Sequence, residues 1–396
     1  MTGENLYLWK RQIAGWAQSI VFYLCRVFPI RSNKIVFAAI EGTTGYSCNP
    51  KYIAEEFLRR GGWELVWLVN DAGKTFPSGI RKVRNTLFHR AFELSTAAVW
   101  VDNSRKQLEV RKRKGQLYLQ TWHAKIGFKP TCLDRGASFS RIAYLVSAHD
   151  SSMIDYVISN SDWYDRTLSR GMLYDGKVLR TGSPRCDILI NGREEARCAL
   201  RRKWGLPAEQ GILLYAPTFR GGSQSAGERV LGEGDHMPDF DALRRALSVR
   251  FGGQWSVFLR LHPQLTARHI ESRAQDSALF DVSREDDMYA ILAGCDAFLT
   301  DYSSAAFDAA VMRIPVFLYA DDYAAYERER GKLLWDLRKL PFPLAQTDAE
   351  MKERVAQFDA KAYQRELDAL FTSTGMKEDG KASRRVADFI CGWTRE

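Results

Sequence analysis

Within residues 281–318, DVSREDDMYAILAGCDAFLTDYSSAAFDAAVMRIPVFL, a short apolar run is trapped between two helical patterns, which leaves few folds open. The spacing predicts a helix over 287–293, a buried strand over 297–300, a helix over 303–312 and a strand over 315–318. Strands this short, joined by helices, pair in parallel and are covered on both faces. The strand over 297–300 ends in Asp301-Tyr302-Ser303-Ser304. A helix start carries free N–H groups and partial positive charge, so this junction suits a phosphate. In a parallel sheet it also lies at the carboxyl end of a strand, where ligands bind.

The same rhythm runs through the rest of the 396 residues, a length that allows two domains. Strands are predicted over 34–40, 64–69, 80–84, 98–102, 116–120 and 156–161, with helices over 50–61, 89–96, 138–147, 149–157 and 161–173. After a crossover near 185–187 come strands over 212–215 and 255–261, with helices over 194–204 and 239–250. Long helices over 323–338, 348–371 and 378–393 close the chain, and the stretch 221–236 is polar. The strand over 116–120 ends in Thr121-Trp122-His123. Later strand ends carry cationic or hydroxyl groups: Arg220 beside Thr218, Arg260 with His262, and Ser303 with Ser304. Their convergence on one crevice would form a diphosphate site. A histidine just past a strand end suits a general base.

Residues 6–30 place Trp9, Ile13, Trp16, Ala17, Ile20, Val21, Leu24, Val27 and Phe28 at helical spacing. The uncharged stretch between Arg11 and Arg26 is 14 residues, short of the ~20 that span a bilayer. The pattern predicts an amphipathic helix lying in a membrane interface, removable without loss of the fold. The net charge of +9 favours acidic partners, and an anionic membrane surface fits. The basic stretch 105–114 reads as a solvated charged loop and lacks the interleaved aromatics of a single-strand nucleic-acid platform, so no nucleic-acid partner is expected. Seven scattered cysteines without a CxxC pair indicate a reducing compartment, without a disulfide framework or zinc site. The pairs Asp286-Asp287 and Asp321-Asp322 do not make a metal site, because adjacent carboxylates diverge.

The pieces IEGTTGYSCNPKYI, QTWHAKIGFK, DSSMIDYVISNSDWY, YDGKVLRTGSPRCDIL, LLYAPTFR, RLHP and DMYAILAGCDAFLTDYSSAAFDAAVMRIPVFLY, in this order, resemble the CDP-glycerol glycerophosphotransferase family of teichoic-acid and capsule polymer enzymes. The resemblance implies a GT-B fold: two Rossmann-like α/β domains facing across a cleft, here preceded by the amphipathic helix. It divides the chain into a membrane-interface helix (1–31), an acceptor domain (32–184), a CDP-alditol donor domain (185–375) and a C-terminal helix (376–396). It implies transfer of an alditol phosphate from CDP-glycerol or CDP-ribitol to a hydroxyl of a lipid-linked glycan acceptor, with release of CMP and no cofactor beyond the donor. The expected place is the cytoplasmic face of a bacterial membrane, as a peripheral protein. His123 matches the family's general base and His262 its HP-motif histidine. Donor contacts are expected from Arg185, Asp187, Thr218, Arg220, Arg260, Thr300, Asp301, Ser303 and Ser304, with Asp187 and Asp301 orienting their neighbours. Acceptor contacts are expected from Trp122 and Lys129. The chain departs from the family at Ala124, Cys186 and Lys332-Leu333, which leaves the alditol open. A GT-B glycosyltransferase using a nucleotide sugar is the alternative.

Overall fold

The computed structural model describes residues 3–218, 237–261 and 278–395. The chain forms two compact units. The first comprises Met1–Lys125, Pro130–Asp187 and Gly375–Glu396; the second comprises Ile126–Lys129 and Ile188–Thr374.

The first unit holds strands β1 (Arg31–Ala38), β2 (Glu64–Val69), β3 (Ile80–Arg84), β4 (Ala97–Asp102), β5 (Leu117–Gln120), β6 (Tyr156–Ser159) and β7 (Lys177–Arg180). They pair in parallel in the order β3-β2-β1-β4-β5-β6-β7. The strand order reverses between β1 and β4, the switch point at which α/β sheets open a ligand crevice. Alternation along each strand sorts its apolar residues onto two buried faces. Val36, Val66, Trp100 and Tyr118 face one cluster; Ile35, Phe37, Trp67 and Val99 face the other. Helix Cys48–Arg60 covers the second face with Ile53 and Phe57, beside Val386, Ala387 and Ile390 of the C-terminal helix Ala382–Trp393. The chain end thus returns to the first sheet.

The N-terminal helix Gly3–Leu24 is part of this unit. Leu8, Ser19 and Phe22 are buried along one face, and Phe22 and Cys25 join the core with Ala91 and Leu94. Gly15 lies against Leu108, whose Cβ would stand 2.8 Å from a Cβ added at residue 15. Removing residues 1–30 would therefore strip core side chains, contrary to the expectation that the fold survives their loss. The opposite face is unburied: Leu6, Trp9, Ile13, Trp16, Ile20, Leu24 and Val27 form an exposed apolar stripe. The basic stretch also differs from a solvated loop. Lys106, Glu109 and Val110 are buried, Arg113 Nη1 donates to Phe28 O (2.7 Å), and Arg26 Nη2 donates to Lys112 O (3.3 Å). It is the seat of the N-terminal helix.

The second unit holds β8 (Gly211–Tyr215), β9 (Trp255–Leu259), β10 (Leu279–Asp281), β11 (Ala297–Thr300), β12 (Val316–Tyr319) and β13 (Leu344–Ala345). They pair in parallel in the order β10-β9-β8-β11-β12-β13. The expected architecture, two Rossmann-like α/β sheets with an N-terminal helix, is present.

Strands β7, β10 and β13 fall outside the predicted strands, and three helical stretches are divided differently from the sequence reading. The two helices expected over 138–157 are one helix, Arg141–Ser151, followed by β6, because Tyr156 and Val157 pair with β5. The helix expected over 323–338 stops at Arg330, where Gly331 adopts φ 93°. The one expected over 348–371 is two, Asp348–Ala356 and Ala360–Thr374. At their junction Asp359 Oδ1 accepts from the N–H groups of Lys361 (2.8 Å) and Ala362 (3.0 Å), as a cap does.

Candidate active site

In the first unit the chain turns sharply after β5. Trp122 takes a left-handed backbone (φ 43°), a conformation that side chains resist unless their surroundings fix it. Here they do. Trp122 N donates to Gln120 Oε1 (2.9 Å), and Asn49 Nδ2 donates to Trp122 O (2.7 Å) and Thr121 O (3.2 Å). Asn49 Oδ1 in turn accepts from Arg185 N (3.1 Å). The buried ammonium of Lys125 donates to Thr121 O and Ile158 O, both at 2.6 Å. Asn49 and Lys125 therefore stitch the ends of β5 and β6 to the turn Pro184–Cys186.

His123 follows this turn, a residue reached by solvent whose ring is partly enclosed by the protein. Its Nδ1 lies 3.1 Å from Asn103 O, so the tautomer that donates there carries its lone pair on Nε2. The ring lies 4.6 Å from that of Trp122, over which the Arg105 guanidinium sits at 4.6 Å. Arg185 Nη1 donates to His123 O. Desolvation by the surrounding protein, with repulsion from Arg185, Arg105 and Lys125, pushes the imidazole down to about 4; the Asn103 contact opposes this. At neutral pH the ring is uncharged and able to accept a proton.

In the second unit the serine junction follows β11. Asp301 is buried, and its two carboxylate oxygens accept from Thr218 N (2.7 and 2.8 Å), while Oδ1 also accepts from Tyr302 N (2.5 Å). It fixes the β8 end against the β11 end, an orienting role. Thr300 is fully buried, and its hydroxyl donates to Ala216 O (2.7 Å), which turns it inward. Ser303 and Ser304 are half-buried ahead of helix Ala305–Ala310. Ser303 Oγ accepts from Ala305 N (3.3 Å), whereas the Ser304 side chain makes no cap bond. Residues 126–129 pack here: Phe128 contacts Phe307 (4.9 Å between rings), Trp335 Nε1 donates to Gly127 O (3.2 Å), and Lys129 Nζ donates to Thr218 Oγ1 (3.3 Å).

The contacts regroup several expected residues. Lys129, expected to bind acceptor, sits with Thr218 in the second unit. Arg185, expected to bind donor, bonds within the first unit to the turn that carries His123. Asp187 caps the C-terminal helix, accepting from Ala382 N (2.9 Å) and Ser383 N (2.7 Å). The Arg260 guanidinium donates to the carbonyls of Val282 (3.3 Å), Glu285 (2.6 Å) and Asp286 (3.5 Å). Arg220 and His262 lie outside the described residues. Sequence reasoning missed Asn49 and Asn103. The run Asp102-Asn103-Ser104 had the layout of the other strand ends, an apolar strand closing in polar residues, and could have been found by it.

A family model for CDP-glycerol:poly(glycerophosphate) glycerophosphotransferases matches residues 20–392. The teichoic acid poly(glycerol phosphate) polymerase of Bacillus subtilis (strain 168) is 25% identical over 388 residues, 93% of this chain and 50% of the relative. The chain thus spans about half the length of that polymerase. It covers 93% of the teichoic acid ribitol-phosphate primase of Bacillus spizizenii (strain ATCC 23059 / NRRL B-14472 / W23), 29% identical over 379 residues and 93% of this chain. A solved structure of the wall teichoic acid polymerase TagF superposes with a TM-score of 0.80 at 25% identity, over 99% of this chain and 97% of that one. The protein belongs to the CDP-glycerol:poly(glycerophosphate) glycerophosphotransferase family.

Proposed function

We propose that the protein transfers an alditol phosphate from a CDP-alditol, glycerol or ribitol, to a hydroxyl of a lipid-linked acceptor in teichoic-acid-like or capsular polymer synthesis. The observation that carries this reading is His123: a neutral imidazole with Nδ1 tied to Asn103 O and its lone pair on Nε2, just past the end of β5 inside the sheet. The acceptor oxygen forms a bond to the alditol-bearing phosphorus as the P–O bond to CMP breaks, and its proton goes to Nε2. A base needs a pKa near the working pH for greatest effect. Negative charge on a substrate bound at His123 would raise its pKa from the low resting value, because it favours the imidazolium.

Thr218, Ser303 and Ser304 are assigned to the donor phosphates, oriented by Asp301. His262 and Arg220 are assigned to the donor on the family resemblance alone. Arg260, Thr300 and Asp187 act by positioning, given where their polar atoms are bonded. The reading needs no cofactor beyond the donor. The exposed stripe from Leu6 to Val27 is assigned to the headgroup region of an anionic membrane, on the cytoplasmic face. Among the described residues no helix is long and apolar enough to cross a membrane.

The test is nucleotide release in the presence of acceptor. CMP from CDP-glycerol or CDP-ribitol supports the reading. UDP or GDP from a nucleotide sugar, with no CMP, would replace it with glycosyl transfer.

A further inference from the structure

The loop that follows β1 holds three consecutive residues at positive φ: Ile40 (45°), Glu41 (56°) and Gly42 (78°). Only the glycine adopts this region freely; a β-branched isoleucine there is an outlier. The conformation is held from three other strand ends. Ile40 N donates to Asn103 Oδ1 (2.7 Å) and Glu41 N to Ser104 Oγ (2.8 Å), both just past β4. Asn70, past β2, and Asn85, past β3, each donate from Nδ2 to Glu41 O at 3.2 Å. Strained residues persist where their surroundings over-determine them, and such places cluster at functional sites.

The clamp fixes the backbone of Glu41 and leaves its side chain exposed. Among the described residues its carboxylate makes no hydrogen bond or ion pair. The loop lies at the β1/β4 switch point of the sheet. Asn103 joins it to the base: its Oδ1 holds Ile40 N, and its main-chain oxygen holds His123 Nδ1. The Asn103 Nδ2 atom is buried with no acceptor among the described residues. Partial desolvation by the surrounding loop and the charge of Asp102 push the Glu41 carboxyl above the ordinary carboxylate range, while Arg105 and Lys106 oppose them.

We propose that Glu41 is a specificity-determining residue for the acceptor, its carboxylate accepting a hydrogen bond from a polyol hydroxyl beside His123. A polyol hydroxyl donates to a carboxylate, which only accepts. This rests on the transferase reading above and adds a group that recognises the incoming alcohol.

The experiment uses the full chain, CDP-glycerol and a short synthetic poly(glycerol phosphate) oligomer as acceptor. Glu41→Gln removes the charge, and Glu41→Gly removes the side chain at a backbone that glycine adopts without strain. Both are expected to raise the acceptor KM about tenfold, the scale of a lost charge-assisted hydrogen bond, with donor KM and thermal midpoint held. An acceptor KM within about twofold of the parent in both variants overturns the assignment, as does an equal rise in donor KM. A parent protein that releases no CMP from any CDP-alditol overturns the transferase reading and this assignment with it. The first two outcomes leave the transferase reading standing, so the failures are distinguishable.

Discussion

The exposed stripe of the N-terminal helix can be tested without disturbing the core, because its residues do not overlap the buried face. Trp16 is 66% exposed and Trp9 53%. A tryptophan offers up to ~250 Å², so Trp16 presents roughly 160 Å² of largely apolar surface. At about 25 cal/mol per Å², full transfer out of water would be worth about 4 kcal/mol. A helix lying in the headgroup region immerses about half of that, so Trp16→Ala should weaken membrane binding by about 2 kcal/mol, roughly 30-fold in partition. Trp9→Ala should have a somewhat smaller effect. The assay is sedimentation with phosphatidylglycerol-containing vesicles, with thermal melting as the control. The melting midpoint should stay within about 2 °C of the parent, since exposed side chains away from packing contribute little. Vesicle binding within twofold of the parent in a Trp9→Ala, Trp16→Ala double variant would refute the membrane role of this face. Truncation is the wrong tool, because it also removes Phe22 and Cys25 from the core.

Other predictions concern buried polar groups. Asp150 is buried, accepts from Lys106 N and Tyr118 Oη (both 2.9 Å), and is pushed by burial up to about 7 from an ordinary 3.8. The folded chain therefore holds a proton that the unfolded chain releases, and stability is lost as pH rises from about 4 to about 7. Asp150→Asn should remove this dependence, with a melting advantage growing from pH 5 to pH 8 and worth up to about 4 kcal/mol; a constant difference across pH would contradict it. Asp301→Ala leaves the N–H groups of Thr218 and Tyr302 without their acceptor. It should cost about 2–4 kcal/mol in denaturant unfolding and raise the donor KM; an unchanged donor KM in a folded variant would separate Asp301 from the donor.

The strand-to-helix junctions were legible in the sequence because each depends on residues close together in the chain. The run Ala297–Thr300 followed by polar residues, and the β5 end with its histidine, fall where periodicity placed them. Long-range partners were not legible. Asp187 looked like a cleft residue, yet its carboxylate caps a helix 195 residues downstream. Arg260 was read as a phosphate ligand, and its bonds to three carbonyls of the loop after β10 left no trace in the sequence. Neither choice leaves a local signature, because an arginine at a strand end reads alike whichever partner folds against it. Asn103 shows the converse. Its place after an apolar strand was visible, but its grip on both His123 and Ile40 depends on the β1/β4 pairing. Helix ends at Gly331 and Asp359 were local and could have been read from glycine and cap chemistry.

The central claim is that His123 takes the acceptor's proton in alditol-phosphate transfer. Its most direct test is CMP release from CDP-glycerol and CDP-ribitol by the parent and by His123→Ala, each with acceptor and each checked by melting. The account predicts CMP from the parent with at least one of these donors, and a loss of at least about 100-fold in the folded variant. Full CMP release by folded His123→Ala would contradict it.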